Sequence, residues 1–300
     1  MSELFKGTGV AIITPFHDSG NIDFGSFEKI IEHILEGGVN YIVALGTTGE
    51  SVTLSHDEKV AVLEFVVEIV NKRVPVVAGL GGNNTQEVIN TIKATSFDGI
   101  DAILSVCPYY NKPQQKGLYN HYKAIAGACP VPVILYNVPG RTSVNISAET
   151  TLRLASDFSN IIGIKEASGN LSQCMDILKD KPRGFLVISG DDALTMPMIA
   201  LGANGVISVV ANAFPRQFSA MVDFCLKGNF FKARSLHFDL LRFTNALFID
   251  GNPSGIKSAM EIIGLCKSNV RLPLVKVSKN VHSIIAEQVE FLLKNHPEID

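Results

Sequence analysis

Residues 161 to 170 read IIGIKEASGN, an apolar and β-branched run that leads into a lysine, Lys165. The pattern predicts a buried strand in which Lys165 shares one face with Gly163, whose missing side chain would leave room beside the amine. A lysine at its ordinary pKa of about 10.4 is neutral in only about one molecule in 2,500 at pH 7, but burial among apolar groups increases this nucleophilic fraction. Lys165 is therefore a candidate Schiff-base nucleophile. A strand-end lysine that reaches water or pairs with a carboxylate is the alternative.

A tyrosine, Tyr136, ends the preceding apolar run, VPVILYNV, in the same way. Consecutive parallel strands are commonly neighbours, so its phenol would lie near the amine of Lys165. There it could donate and accept a proton while a carbinolamine forms and loses water. Taken alone, a tyrosine at this position is more often a packed interior residue.

Two loops carry groups that suit carboxylates. In GTTGE, residues 46 to 50, the backbone N–H groups and the hydroxyls of Thr47 and Thr48 could bind a small carboxylate and pass protons. In YNVPGRT, the forked guanidinium of Arg141 is suited to a second carboxylate. Each loop has an ordinary interpretation as well, a turn between strand and helix for GTTGE and a solvated arginine for YNVPGRT.

Eight short apolar runs would position these groups, and amphipathic segments separate them. This order predicts an α/β protein whose parallel strands close into a (β/α)8 TIM barrel, with its active site at the carboxyl ends of the strands. An open, doubly wound sheet is the alternative. The predicted strands are Thr8–Phe16, Tyr41–Gly46, Pro75–Gly82, Ala102–Pro108, Pro132–Pro139, Ile161–Ser168, Phe185–Asp192 and Gly205–Asn212.

Helical patterns lie between the strands and continue after them. SHDE, residues 55 to 58, predicts a capping box at the start of a long helix. We expect a catalytic barrel over residues 1–225 and a C-terminal helical appendix over residues 226–300. The helices predicted after the last strand are Pro215–Gly228, Asn229–Phe248, Pro253–Gly264 and Val281–Asn295.

Composition argues against several classes of protein. The 300 residues carry a formal net charge of −3, which argues against a nucleic-acid-binding face, and no apolar run is long enough to span a membrane. The first residues lack the pattern of a signal peptide, so we expect a cytoplasmic protein. The five cysteines and seven histidines are scattered without metal-ligand spacing, which predicts free thiols and no metal site.

Six motifs occur together in a specific order: GTTGE, PYYNKP, YNVPGRT, GIKEASGN, SGDD and GVISV. Over essentially the whole chain this set resembles the pyruvate-dependent class I aldolase family of (β/α)8 barrels. The arginine of YNVPGRT favours the branch that condenses pyruvate with L-aspartate 4-semialdehyde in lysine (diaminopimelate) biosynthesis. That branch uses no metal or organic cofactor, and its members are homotetramers built as dimers of dimers.

The resemblance implies roles for four catalytic residues. Lys165 would form the imine with pyruvate, and Tyr136 would donate and accept the proton. Thr47 and Tyr110 would complete a proton relay, with Tyr110 reaching into the site of a neighbouring subunit.

The resemblance also implies how the substrates are held. Thr48 and Ile207 would bind pyruvate, Ile207 through its backbone, and Gly190 would line the same pocket. Arg141 would bind the carboxylate of aspartate semialdehyde.

Members of this family that are inhibited by lysine bind it at a subunit interface, and the present chain matches several positions of that effector site. Lys59 departs from the pattern because it replaces a histidine, and its charge could repel the ammonium group of lysine or pair with the carboxylate. Interface residues without a regulatory role are the alternative. The matching residues are Ser51, His56, Asn83, Glu87 and Tyr109.

Two other functions remain open from the sequence. Barrels that cleave sialic acid or keto-deoxy sugar acids share GTTGE and the lysine of the sixth strand. A metabolite-binding homologue without activity would keep the pocket, but its mark would be the loss of Lys165 or Tyr136, and both are present.

Overall fold

The computed structural model describes residues 2–296 and contains a closed barrel of eight parallel strands. Each strand pairs with the next along the chain, and β8 pairs with β1, so that Gly7 lies opposite Gly205 at the seam. The predicted TIM barrel is confirmed, and the open doubly wound sheet is excluded. The strands span Gly7–Ala11 (β1), Tyr41–Ala44 (β2), Val76–Gly79 (β3), Ala102–Val106 (β4), Val133–Asn137 (β5), Ile161–Glu166 (β6), Leu186–Ser189 (β7) and Gly205–Ser208 (β8).

Helices cover the outside of the barrel, and the capping box predicted at Ser55 is present, with reciprocal hydrogen bonds to Glu58. All four helices predicted after the last strand are confirmed. The helices span Phe24–Glu36 (α1), His56–Val70 (α2), Thr85–Ala94 (α3), Gln115–Ala128 (α4), Pro139–Thr142 (α5), Ala148–Asp157 (α6), Leu171–Asp180 (α7), Thr195–Ala200 (α8), Pro215–Leu226 (α9), Phe230–Phe248 (α10), Ser254–Ile262 (α11) and Lys279–Asn295 (α12).

The barrel interior is closed from below by a large side chain. Tyr41 of β2 is fully buried, packs edge-on against Phe5 and donates from its hydroxyl to the carbonyl oxygen of Val206 at 3.2 Å. Its ring crosses β1 at Gly9, where a Cβ atom would lie only 2.2 Å from the ring. The apolar layers above it end at Tyr136, so the interior is solid up to the carboxyl ends of the strands.

The C-terminal helices pack against the barrel and against each other, with α10 in contact with α9, α11 and α12. The last turn of α10 and the turn after it reach the mouth of the barrel, where Phe248 and Asn252 form part of its wall. Among residues 2–296, every helix is too short or too polar to cross a membrane.

Candidate active site

Lys165 lies at the carboxyl end of β6 and lines a cleft of about 470 Å³ in the mouth of the barrel. Its side chain is only 5% exposed, which excludes the alternative of a lysine extended into bulk water. The hydrogen bonds and ion pairs of residues 2–296 include none from its Nζ atom. The amine is therefore buried beside a cavity without a carboxylate partner in this part of the chain.

Tyr136 lies directly beside Lys165, because the two residues are register partners in the pairing of β5 with β6. The Nζ atom is 4.5 Å from the centre of the phenol ring, and both side chains line the same cleft. The expected proximity of phenol and amine is confirmed. The amine and the phenol are therefore neighbours in one cleft, where a tyrosine could serve a nucleophile as its acid–base group.

Glu166, the residue after the lysine, points to the opposite side of β6 as strand alternation predicts. Its carboxylate is buried and accepts hydrogen bonds from Asn137 Nδ2 at 2.9 Å, Gln173 Nε2 at 2.9 Å and the backbone N–H of Ser168 at 2.7 Å. Neutral donors therefore satisfy this carboxylate, and it does not pair with Lys165.

The room around the amine comes from Gly190, which follows β7 in SGDD. A Cβ atom at Gly190 would lie 3.0 Å from Cε of Lys165 and 2.6 Å from Cβ of Ala167, so a larger residue would crowd the lysine. The prediction that Gly163 makes this room is wrong, because Leu186 of β7 fills the space beside Gly163. Gly190 lines the cleft as the resemblance implies.

The predicted carboxylate-binding residues reach the same cleft from two loops. Thr47 and Thr48 follow β2, and Arg141 lies on the short helix α5 after β5. A residue that the sequence reading missed joins them. Asn252 donates from Nδ2 to Thr48 Oγ1 at 3.0 Å, and its backbone carbonyl oxygen accepts from Arg141 Nη2 at 3.3 Å.

Two predicted residues lie outside the wall of the cleft. Ile207 is 1% exposed and its side chain packs with the apolar groups inside the barrel. Tyr110 is 89% exposed, with a backbone φ of +72°.

SGDD also supplies a residue that holds the end of β8. Asp192 is buried, and its Oδ2 atom accepts from the backbone N–H groups of Val209 and Val210 at 2.9 and 3.1 Å. Burial raises the pKa of this carboxyl group, and the hydrogen bonds oppose that effect. Asp192 therefore stabilises the backbone that follows Ile207 through these two hydrogen bonds.

A second cleft, of about 300 Å³, contains most of the residues of the predicted effector site. Ser51, Asn83, Glu87 and Tyr109 line it, together with Lys59. His56 is exposed on the first turn of α2 and is not part of this wall. Four of the five positions are thus brought together.

A closed (β/α)8 barrel with an unpaired, buried lysine on β6 and a tyrosine beside it on β5 defines the class of Schiff-base aldolases. Among the residues that the structure describes, no group of three or more His, Cys, Asp or Glu side chains could hold a metal ion. The sequence of residues 4–292 matches the model of the dihydrodipicolinate synthetase family. The chain belongs to this family.

Known relatives agree with this assignment. The 4-hydroxy-tetrahydrodipicolinate synthase of Parabacteroides distasonis is 52% identical over 270 residues, which cover 90% of this chain and 91% of that protein. The crystal structure of the chloride-inhibited dihydrodipicolinate synthase of Acinetobacter baumannii in complex with pyruvate superposes with a TM-score of 0.92 at 41% identity, covering 98% and 99% of the two chains. The structure of the Cyanidioschyzon merolae enzyme with lysine bound superposes with a TM-score of 0.92 at 37% sequence identity. The match covers 96% of this chain and 98% of that chain.

Proposed function

We propose that this chain is a lyase that condenses pyruvate with L-aspartate 4-semialdehyde to give 4-hydroxy-tetrahydrodipicolinate, a step of lysine biosynthesis. The family assignment and the names of relatives at about half identity support this reaction. The single observation that carries the chemistry is the unpaired Nζ atom of Lys165 beside the phenol of Tyr136.

The first step forms a covalent bond between enzyme and substrate. The neutral amine of Lys165 attacks the ketone carbon of pyruvate, and a proton moves to the ketone oxygen to give a carbinolamine. Loss of that oxygen as water leaves a protonated imine. Tyr136 is the group placed to move both protons, since its ring lies 4.5 Å from Nζ.

The second step uses the imine as an electron sink. The positive nitrogen acidifies the methyl group of pyruvate, which loses a proton and becomes an enamine. The enamine carbon attacks the aldehyde of the semialdehyde, whose oxygen takes up a proton. The amino group of the substrate then attacks the imine carbon and displaces Lys165, so the ring closes and the free amine is restored.

Pyruvate is held, in this proposal, by the groups around Lys165. Thr48 and the backbone of Ile207 bind it, and Gly190 leaves the space that it needs. The pyruvate complex of the Acinetobacter baumannii relative supports a pyruvate site in this fold. The barrel that carries this site is assigned to residues 1–225, and the helical region at 226–300 supplies part of its wall.

Arg141 binds the carboxylate of the semialdehyde. Its guanidinium group lines the same cleft as Lys165, and the backbone carbonyl oxygen of Asn252 accepts a hydrogen bond from one of its nitrogens. A forked guanidinium matches a carboxylate in geometry and charge. This residue favours the semialdehyde over the sugar acids that related barrels cleave.

The proton relay requires a second copy of the chain. We assign Tyr110 to the cleft of a neighbouring subunit, with Thr47 as the link to Tyr136, in a cytoplasmic homotetramer. The 89% exposure of Tyr110 supports this role, because a side chain this open is free to enter a partner.

The second cleft is proposed to bind lysine as an inhibitor. The lysine-bound relative from Cyanidioschyzon merolae supports an effector of this kind. Glu87 offers a carboxylate for an ammonium group, while Lys59 on the same wall offers a cation for the carboxylate. Activity titrated with lysine tests this assignment, and activity unchanged at millimolar lysine would contradict it.

A substrate comparison tests the proposed reaction. The purified enzyme should consume pyruvate only when aspartate semialdehyde is present, and it should release no pyruvate from sialic acid or keto-deoxy sugar acids. Release of pyruvate from a sugar acid without any semialdehyde reaction would place the chain in the lyase branch instead.

A further inference from the structure

A second lysine, Lys257 on α11, is buried where the helical region meets the GTTGE loop. Its Nζ atom forms an ion pair with Glu50, the last residue of GTTGE, and donates to the carbonyl oxygen of Asn269 at 2.8 Å. Both side chains of the pair are inaccessible to solvent. The Nζ atom also lies 4.1 Å from the ring centre of Phe16.

The other carboxylate oxygen of Glu50 is occupied as well. It accepts from the backbone N–H of Arg271 at 3.0 Å. The guanidinium group of Arg271 donates to the carbonyl oxygen of Thr53 at 2.9 Å and pairs with Glu58. The segment from Lys257 to Arg271 therefore holds the GTTGE loop and the helical turn that follows it.

Glu50 belongs to a tight turn that its side chain stabilises. Its backbone φ is +53°, a left-handed conformation that is uncommon for a residue with a Cβ atom. Its N–H donates to the carbonyl oxygen of Thr47 at 3.1 Å, and Thr14 Oγ1 donates to the carbonyl oxygen of Gly49 at 2.8 Å. A conformation of this kind persists where the surroundings hold it. The direction of Thr47 and Thr48 therefore depends on how Glu50 is anchored.

The turn before α11 reaches this loop at a second point. Asn252, two residues before α11, donates to the hydroxyl of Thr48. Lys257 and Asn252 therefore attach both ends of the short segment from Thr48 to Glu50 to one structural element. The helical region is part of the pocket and not only a packing surface.

We propose that Lys257 is a positioning residue for the pyruvate pocket, whose ion pair with Glu50 holds the turn that presents Thr47 and Thr48 to the substrate. This inference rests on the proposed function, because it assumes that these threonines contact pyruvate. Lys257 itself does not line the cleft and acts through Glu50.

A matched pair of variants tests the inference with the full-length protein. Lys257→Met removes the buried anchor, while Lys267→Met removes an exposed ion pair with Asp18 from the same segment. The measurement is the rate at which borohydride traps the pyruvate adduct, recorded at increasing pyruvate concentration. The value compared is the pyruvate concentration that gives half of the maximal rate. We expect an increase of about 10-fold or more for Lys257→Met, since small displacements of binding groups are costly, and a change below about twofold for Lys267→Met. An unchanged half-saturating concentration in folded Lys257→Met would overturn the inference.

The double variant Glu50→Gln/Lys257→Met covers the case in which Lys257→Met does not fold. It removes both charges, so no buried charge is left unpaired. A folded double variant with a raised half-saturating pyruvate concentration would support the positioning role of Lys257. A folded double variant with the wild-type value would contradict that role.

Hydrogen exchange in the wild-type protein gives a readout that depends on neither variant nor activity. Without pyruvate, the amides of Gly49 and Glu50 should exchange as slowly as those of α11. Fast exchange at these two amides would show that the anchor does not hold the turn. A wild-type protein that forms no pyruvate adduct would contradict the proposed function. The exchange measurement would still show whether the turn at Gly49 and Glu50 is held rigidly.

Discussion

Lys165 and Lys257 are both buried, but the space around the two nitrogens differs. The Nζ atom of Lys165 faces a cleft and a tyrosine ring and has no carboxylate partner among residues 2–296. The Nζ atom of Lys257 faces Glu50 and a carbonyl oxygen and has no access to the cleft. Burial lowers the pKa of Lys257, and the charge of Glu50 opposes that effect.

The comparison shows that burial alone does not make a lysine a nucleophile. A buried ammonium group is costly unless it is paired and hydrogen-bonded, and Lys257 meets both conditions. Lys165 meets neither condition, and it lines a cleft where a substrate can reach its nitrogen. The first environment stabilises a loop, and the second suits covalent catalysis.

The largest expected effect separates the two lysines by activity. Lys165→Met should lower kcat by about 10⁵-fold or more, since it removes the nucleophile on which the rate enhancement depends. Steady-state rates with both substrates measure this, and circular dichroism checks the fold. Residual activity within about 100-fold of the wild type would show that another group forms the imine.

Tyr136→Phe should lower kcat by about 10²- to 10⁴-fold, the usual contribution of a positioned acid–base group. The ring and its packing are kept, so the pyruvate adduct should still form, but slowly. Stopped-flow trapping measures its rate. Val138→Ala, on the same cleft wall, is the control and should stay within about 10-fold of the wild type. Wild-type rates for Tyr136→Phe would show that the phenol is not the acid–base group of the reaction.

The two lysine variants should rank in the opposite order for stability and for activity. Lys257→Met should lower the free energy of unfolding by about 3–5 kcal/mol, because it leaves the buried carboxylate of Glu50 without its partner. Lys165→Met should change it by less than about 1 kcal/mol, because no ion pair is broken. Urea unfolding of both variants checks this. Equal losses would contradict the distinction between the two sites.

Arg141→Ala should raise the KM for aspartate semialdehyde by about 10- to 100-fold, the value of one hydrogen-bonded charge. The pyruvate adduct should form at the wild-type rate, because in this proposal the arginine binds only the second substrate. Separate titrations of the two substrates measure the effects. An intact semialdehyde reaction would indicate that the preferred substrate is different.

The smallest expected effect is on the pH dependence of stability, and it comes from the ion pair between Glu58 and Arg271. Hydrogen bonds from Arg271 lower the pKa of Glu58 to about 2, so the folded state favours the ionised carboxylate. The resulting stabilisation is fully present above the ordinary pKa of 4.5 and is lost as the pH falls through about 2. Glu58→Gln keeps a residue able to complete the capping box. It should cost about 1 kcal/mol at pH 7, because this pair is partly exposed, and much less at pH 2, where about half of the carboxyl groups are protonated.

Unfolding curves at the two pH values check the Glu58 prediction. Glu28→Gln, at an exposed position outside the ion pairs of residues 2–296, is the matched control. A loss for Glu58→Gln that is equal at both pH values would show that the charge is not responsible.

The order of the elements could be predicted because strands buried on both faces have continuous apolar sequences. The ends of the strands were predicted less well. The apolar pattern predicts a first strand over Thr8–Phe16, but β1 ends at Ala11. The pattern extends further because Ile12 and Ile13 are buried in the loop that follows the strand. Burial continues past the end of the strand. Because an apolar pattern indicates burial and not strand pairing, it does not locate the strand's end.

Lys165 and Tyr136 were predictable because a polar residue at the end of an apolar strand departs from the pattern. Asn252 and Lys257 gave no such signal, since each lies at or near a helix start with an ordinary composition. Their partners are 204 and 207 residues away in the sequence. Only the closed barrel brings the helical region against the GTTGE loop.

Borohydride reduction in the presence of pyruvate, followed by peptide mapping, tests the central claim most directly. The wild-type protein should carry one permanent reduced-pyruvate adduct on Lys165, and Lys257 should remain unmodified. No adduct, or an adduct on any residue other than Lys165, would contradict the account.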